Sequence, residues 1–198
     1  MDGFSHIPGY LDEKAQASLV ETLREIALVA PFYQPKMPRS GKPFSVRMTN
    51  CGPLGWVSDT KCYRYQKTHP ISVEQWPAMP KAVVEIWNDL SGFDKEPECC
   101  LINYYSEGAK MGLHRDEDEE TFDAPVVSIS LGDTARFRIG GANRKDPTRS
   151  FKLSSGDALV MAGASRLAYH GIDRIYPGSS DLLSKGGRVN LTLRRVQP

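Results

Sequence analysis

A histidine and an aspartate two positions apart, His114 and Asp116, are the residues of this sequence that point most directly to chemistry. On an extended backbone this spacing turns both side chains to the same face. A second histidine, His170, follows about fifty residues later. Two imidazoles and one carboxylate bind one face of a ferrous ion and leave the opposite face open for substrates and oxygen. The sequence therefore predicts an iron site formed by His114, Asp116 and His170.

The same stretch allows two other interpretations. Asp116 begins an acidic run, 116–120, which could be a solvated loop, and a histidine two positions before an aspartate also occurs by chance. A binding module with a structural metal is the other alternative, although structural metal sites usually have four protein ligands rather than three. Spacing alone leaves both open.

The end of the chain alternates polar and apolar residues. In 188–195 the polar side chains share one face, and they are Arg188, Asn190, Thr192 and Arg194. This face could simply meet water, as in many exposed sheets. It could equally line a cavity for a dicarboxylic acid, because guanidinium groups bind carboxylates in a bidentate fork and keep their charge when buried. In 99–105, Leu101, Asn103 and Tyr105 share a face in the same way.

Period-two alternation dominates the second half of the chain, whereas the first half contains two helical patterns. Apolar residues at helical spacing predict helices at 12–30 and 80–91. Strands are expected at 99–105, 126–131, 134–139, 150–153, 157–161, 166–172 and 188–195. Many short strands with turn residues between them indicate a sandwich or jelly roll. The fold class is therefore α+β, mainly β, with the helices first and an antiparallel β-core after them.

The composition limits the classes of function that this chain can have. The 198 residues suit one domain, and the formal net charge of +1 gives no global attraction to nucleic acid. No stretch is apolar enough for a membrane span, and the first six residues do not resemble a secretory signal. The four cysteines contain no C-x-x-C pair. We therefore expect a reduced, cytoplasmic protein without a membrane partner, and we expect a monomer.

One segment is locally basic and aromatic. Between residues 34 and 67 there is one acid, Asp59, and there are seven basic residues: Lys36, Arg39, Lys42, Arg47, Lys61, Arg64 and Lys67. Aromatic residues, including Trp56 and Tyr63, lie among them, and the runs 44–48 and 62–65 suggest hairpin strands. Cations interleaved with aromatic rings suit single-stranded nucleic acid. The alternative is a solvated hairpin that packs its rings against the domain.

Several stretches together resemble the AlkB family of Fe(II)- and 2-oxoglutarate-dependent dioxygenases. The similar stretches are 48–56 (MTNCGPLGW), 76–80 (WPAMP), 100–103 (CLIN), 113–119 (LHRDEDE) and 188–194 (RVNLTLR). They run through most of the chain, and their order and joint presence make the resemblance specific. It implies one domain, 1–198, with a double-stranded β-helix core at about 96–198. About 1–95 would form a helical extension that contains a nucleotide-recognition lid, 34–70.

The resemblance also implies roles for individual residues. Besides the three iron ligands, Arg188 would pair with the 5-carboxylate of 2-oxoglutarate. Tyr105 and Asn190 would help to hold this cosubstrate, and Asn103 and Arg194 would lie near its 1-carboxylate end. Four residues would contact the substrate: Trp56 and Tyr63 on the lid, Asp118 reading the exocyclic amino group of the base, and Arg144 at the pocket edge.

The implied activity is direct reversal of alkylation damage. Fe(II), 2-oxoglutarate and O2 would demethylate bases of the 1-methyladenine and 3-methylcytosine type, releasing formaldehyde and succinate. The expected partner is single-stranded or base-flipped DNA, with RNA as a second substrate left open. An alternative keeps these cofactors for a protein or small-molecule substrate. Two departures from the family pattern stand out: Met161 replaces an expected tryptophan near the iron, and Glu117 replaces an expected lysine at a phosphate contact.

Overall fold

The computed structural model describes residues 2–198 as two helices and twelve strands. In chain order these are β1 (Phe4–Ile7), α1 (Glu13–Val29), β2 (Arg47–Cys51), β3 (Gly55–Ser58), β4 (Tyr63–Gln66), α2 (Lys81–Leu90), β5 (Cys99–Tyr105), β6 (Met111–His114), β7 (Val126–Gly132), β8 (Ala135–Ile139), β9 (Arg149–Leu153), β10 (Ala158–Met161), β11 (His170–Ile175) and β12 (Arg188–Arg194). Neither helix combines the length and apolar character needed to cross a membrane. The predicted helices are confirmed to within a residue or two at each end.

The helices follow from local sequence signals. Asp12 caps α1, because its Oδ1 accepts a hydrogen bond of 2.8 Å from the backbone N–H of Ala15. Pro31 follows the last turn and cannot continue the helix. On α2, Val83, Ile86 and Trp87 are buried. Each helix thus has one apolar face to pack against a sheet.

The strands form a jelly roll of two main antiparallel sheets. The order of the larger sheet is β1-β10-β7-β12-β5-β2, and that of the smaller sheet is β6-β11-β8-β9. A separate hairpin joins β3 to β4. The mainly β fold class is confirmed. Strands β1 and β2 show that the first ninety-five residues also contribute to the larger sheet.

The larger sheet has one apolar core on each of its two faces. One is built by α1 and α2 with side chains of the sheet such as Ile129 and Leu191. The other contains residues of both sheets, such as Leu101, Phe137 and Ile172. Strand β12, between β7 and β5, is therefore covered on both faces. The interpretation that its polar face meets water is wrong, because all seven of its residues are buried.

Two strand predictions need correction, and three short strands are missed. Residues 166–169 are not a strand, since a short 3₁₀ helix, Gly163–Ser165, precedes them and β11 begins at His170. Here Arg166 turns inward and donates to the carbonyl oxygens of Ala124 and Asp116. The run 62–65 overlaps β4, which forms a hairpin with β3, but the run 44–48 overlaps β2, which pairs with β5 and is not a hairpin strand. Strands β1, β3 and β6, of four residues each, are not among the strands that the sequence predicts.

Candidate metal and cosubstrate site

Adjacent strands bring the three predicted iron ligands together. His170, the first residue of β11, is the antiparallel partner of His114, the last residue of β6. Their ring centroids are 4.5 Å apart. Asp116 follows two residues after β6 ends, and one ligand atom from each of the three residues lies within 4.8 Å of the others. A 2-His-1-carboxylate set of this kind matches a ferrous site with open positions.

Backbone carbonyl groups orient both imidazoles. Nδ1 of His114 lies 2.9 Å from the carbonyl oxygen of Gly112, and Nδ1 of His170 lies 3.0 Å from that of Ala168. A carbonyl only accepts, so each Nδ1 carries the proton and each Nε2 keeps its lone pair for a metal. Burial and the neighbouring His114 lower the pKa of His170 to about 4. His170 is therefore neutral, as a metal ligand must be, at pH 7.

The Asp116 carboxylate is buried and charged. Its Oδ1 lies 2.8 Å from Nη2 of Arg194 and 3.8 Å from Nε2 of His114. Burial acts to raise the pKa of Asp116, but the positive charge of Arg194 together with His170, His114 and Arg166 outweighs burial and holds that pKa well below its usual range. Within residues 2–198, Oδ2 has no hydrogen-bond partner. A buried anionic oxygen without a partner suits coordination to a cation.

Arg188 lies at the floor of a cavity between the two sheets, which we call the cavity and which has a volume of about 450 Å³. Arg188 is 1% exposed, and its guanidinium carbon lies 5.2 Å from the centre of the Tyr105 ring. Nη2 donates to Ser130 Oγ at 3.0 Å, but Nε and Nη1 have no partner in the described chain. Burial lowers the pKa of Arg188. A buried guanidinium with two free donors matches a carboxylate ligand.

The other predicted cosubstrate residues divide into two kinds. Asn103 lines the cavity, and its Oδ1 is buried without a partner among residues 2–198. Tyr105 lines the cavity and packs beneath Arg188. Asn190 also lines it, but its amide nitrogen already donates to Ser128 Oγ at 2.7 Å and its oxygen accepts from Thr192. Asn190 thus holds the strands in register, whereas Asn103 retains an acceptor for a ligand.

Arg194 lies in a buried network that the sequence did not reveal. Besides Asp116, it contacts Oη of Tyr65 at 3.1 Å and Glu119 at 3.5 Å. Tyr65 donates to Glu119 at 2.6 Å, and Arg166 forms an ion pair with Glu119 at 3.2 Å. Glu119 lies in the acidic run that could have been a solvated loop, but its side chain is 0% exposed. No local pattern signals this burial, since Tyr65 and Arg166 are distant in sequence.

Aromatic and charged residues form the rim of the cavity, which we define as Trp56, Tyr63, Arg115, Glu117, Asp118, Arg144 and Tyr169. Trp56 and Tyr63 come from paired strands, and their rings stack with centroids 5.5 Å apart. The Trp56 indole donates to Asp118 Oδ2 at 2.7 Å. Burial raises the pKa of Asp118, and the indole hydrogen bond opposes this. The four predicted substrate residues therefore lie together, but Trp56 and Tyr63 contact each other rather than flanking an open slot.

A superfamily model matches residues 3–194, and its description is "2OG-Fe(II) oxygenase superfamily". Together with the His114, Asp116 and His170 cluster, this match defines the chain as an Fe(II)- and 2-oxoglutarate-dependent dioxygenase. Its cofactors and cosubstrates are Fe(II), 2-oxoglutarate and O2. The free donors of Arg188 fit a carboxylate of the cosubstrate in the same cavity as the metal ligands.

Comparison with similar proteins identifies the family within this class of dioxygenases. An "Alpha-ketoglutarate-dependent dioxygenase AlkB homolog" of Caulobacter vibrioides is 53% identical over 195 residues, which cover 98% of this chain and 88% of that protein. A "DNA N(6)-methyladenine demethylase ALKBH1D" of Arabidopsis thaliana is 32% identical and covers 97% of this chain and 49% of its own. The solved structure of OsALKBH1 superposes with a TM-score of 0.82 at 30% identity, over 98% of this chain and 96% of the other. The chain belongs to the AlkB family.

Proposed function

We propose that this protein demethylates N-alkylated bases in DNA by oxidation, reversing alkylation damage directly. The observation that carries the proposal is the juxtaposition of the metal-ligand cluster with a rim of stacked aromatic rings and an exposed carboxylate, Asp118, that accepts the indole N–H of Trp56. Relatives with the AlkB name and a relative named as a DNA demethylase support it. RNA offers the same bases, so RNA is a second substrate to test.

The iron and its cosubstrates supply the oxidation of the N-methyl carbon, with 2-oxoglutarate converted to succinate and carbon dioxide and the oxidised methyl group leaving as formaldehyde. His114, Asp116 and His170 would hold the metal, with the Nε2 atoms and Oδ2 as the donor atoms that backbone and arginine contacts leave free. Arg188 would bind the 5-carboxylate of 2-oxoglutarate through Nε and Nη1. Asn103 and Arg194 would lie near its 1-carboxylate end, with Tyr105 and Asn190 supporting them.

The rim would recognise the damaged base. A 1-methyladenine or 3-methylcytosine ring carries a positive charge, which favours the carboxylate of Asp118 and the aromatic faces of Trp56 and Tyr63. The indole N–H of Trp56 fixes Asp118 for this contact. Arg144, which is exposed beside Tyr169, would contact the nucleic-acid backbone. Because the methyl group is on the base-pairing edge, the base must be single-stranded or flipped out of a duplex.

We further propose that residues 34–70, which include the β3–β4 hairpin, act as the nucleotide-recognition lid of a single catalytic domain spanning 1–198. The hairpin supports this because β3 and β4 form a two-stranded sheet of their own, apart from the two main sheets, and because it supplies Trp56 and Tyr63 to the rim. We propose a monomer, because the cavity contains the whole candidate site within one chain. We also propose a cytoplasmic location, because the four cysteines are free, as is usual in a reducing compartment. Size-exclusion chromatography with light scattering tests the monomer, and a dimer mass would contradict it.

The decisive experiment measures formaldehyde release from single-stranded oligonucleotides that carry 1-methyladenine or 3-methylcytosine. The protein is supplied with Fe(II), ascorbate and 2-oxoglutarate, and unmethylated strands serve as the substrate control. Asp116→Ala should abolish release, because it removes the carboxylate ligand. Release that persists in Asp116→Ala would overturn the metal assignment, and wild-type protein that forms succinate but no formaldehyde from any strand would overturn the substrate assignment.

A further inference from the structure

Two arginines at the rim approach one aromatic ring beside the metal ligands. The guanidinium carbon of Arg115 lies 5.5 Å from the centre of the Tyr169 ring, and that of Arg144 lies 5.8 Å from it. Tyr169 immediately precedes His170. The ring holds both planar cations near the cavity entrance. Two guanidinium groups against one ring concentrate positive charge at this part of the rim, which favours binding of an anion there.

An acidic side chain of the same segment already engages one of these arginines. Nε and Nη2 of Arg115 each lie 2.5 Å from Oε2 of Glu117. The side chains are 33% and 48% exposed, so water screens this ion pair and it contributes little stability. Arg144 forms no ion pair within residues 2–198. The two rim arginines therefore differ: one is engaged by a weakly held internal carboxylate, and the other is not.

We propose that Glu117 competes with a nucleic-acid phosphate for Arg115, so that Arg115 exchanges the carboxylate for a backbone phosphate when a strand binds. This inference rests on the proposed function. A phosphate presents the same pair of oxygen atoms to a guanidinium as a carboxylate does. Its negative charge would also attract Arg144, which Glu117 does not engage. The exchange costs little because the Arg115–Glu117 pair is exposed. Glu117 thereby sets how tightly the rim holds the strand.

The test compares steady-state demethylation of a 3-methylcytosine single strand by wild-type protein and by Glu117→Gln, Arg115→Gln and the double variant. Glu117→Gln should lower KM for the strand about two- to fivefold, as expected for loss of a competing exposed ion pair, with the change in KM rather than kcat. Arg115→Gln should raise KM and reduce the slope of log KM against log salt concentration by about one. In the Arg115→Gln background, Glu117→Gln should have a much smaller effect.

A matched control removes an equal charge elsewhere. Glu21 pairs with Arg24 on α1, and both side chains are more than half exposed. Glu21→Gln therefore changes net charge as Glu117→Gln does, and it should leave KM for the strand unaltered. An unchanged KM for Glu117→Gln in an enzyme that demethylates the strand overturns this inference alone, and so does an equal effect of Glu21→Gln. A wild-type enzyme that consumes 2-oxoglutarate without demethylating any strand overturns the proposed function instead.

Discussion

The floor of the cavity and its rim both carry arginines, but the surroundings of these arginines differ. Arg188 and Arg194 at the floor are 1% and 5% exposed and come from the central strand β12. Arg115 and Arg144 at the rim reach solvent and lie outside the strands. Buried cations cost much free energy unless they are paired, whereas exposed ones cost little and can change partners.

This difference suits two kinds of ligand. A small dicarboxylate always has the same charged groups, so it can be bound by hydrogen-bond donors that packing holds rigidly in place, such as those of Arg188. A nucleic-acid strand varies in sequence and conformation, and side chains that move at low cost can follow it. Perturbing the floor should therefore have large effects on stability and cosubstrate binding, whereas perturbing the rim should have smaller effects on strand binding.

The largest effect should come from Glu119→Gln, which removes one charge from the buried network of Arg194 and Arg166. Breaking a buried ion pair on one side leaves an uncompensated charge, so we expect the free energy of unfolding to fall by about 3 kcal/mol. Urea denaturation measures it. Glu85→Gln, in an exposed pair with Lys81, is the control and should change stability little. Equal stabilities of the two variants would contradict the energetic role of the network.

Arg188→Met should come next. It removes the free donors proposed for the 5-carboxylate, and hydrogen bonds to charged groups contribute about 1.5–3 kcal/mol each, so KM for 2-oxoglutarate should rise about a hundredfold. Succinate formation at increasing 2-oxoglutarate concentration measures this change. Arg188→Lys should recover only part of the loss, because lysine lacks the planar fork. An unchanged KM in a folded Arg188→Met protein would remove Arg188 from the cosubstrate site.

Trp56→Ala should have a smaller effect, and it should change binding of the nucleic-acid strand rather than binding of 2-oxoglutarate. Stacking of a base on an aromatic side chain contributes about 1–3 kcal/mol, so KM for the methylated strand should rise about tenfold or more. KM for 2-oxoglutarate serves as the internal reference and should move much less. Trp56→Phe keeps a ring but loses the N–H that bonds Asp118, which separates stacking from carboxylate positioning. A larger change for 2-oxoglutarate than for the strand would contradict the division between floor and rim.

The mildest probe is thiol labelling of the native protein. Cys62, in the loop between β3 and β4, is exposed, whereas Cys51, Cys99 and Cys100 are buried. Burial raises the pKa of Cys99 to about 12. A hydrogen bond with Cys51, together with burial, raises the pKa of Cys100 well above its usual range. Since the thiolate is the reactive form, a disulfide reagent at pH 8 should modify one thiol in the folded protein and four after denaturation. Rapid reaction of more than one native thiol would show that the strands under the hairpin open.

Much of this molecule could be predicted from local patterns. The helices have caps, prolines and apolar stripes, and strand β12 has strict alternation that placed Arg188, Asn190 and Arg194 on one face. Motif order indicated the family, which the comparisons confirm. The short strand β6 was missed because four residues give too little alternation, although it carries His114.

Residues whose surroundings are made by distant segments could not be predicted. Glu119 has the same local context as the exposed Glu117, yet it is buried by Tyr65 and Arg166, which are more than forty residues away in either direction. The contact of Arg115 and Arg144 with one ring similarly depends on three separate loops. Sequence spacing defines which side chains share a strand face, but it does not define what covers that face.

The Tyr65 hydroxyl links the β3–β4 hairpin to the metal-ligand cluster. It donates to Glu119 and accepts from Arg194, which in turn holds Asp116. If a bound strand orders this hairpin, thermodynamic reciprocity requires that metal loading strengthens strand binding by the same factor by which the strand strengthens metal binding. Fe(II) titrations with and without a methylated strand measure this coupling factor. It should fall toward one in Tyr65→Phe, which would make the hydroxyl a physical connection between substrate recognition and cofactor retention.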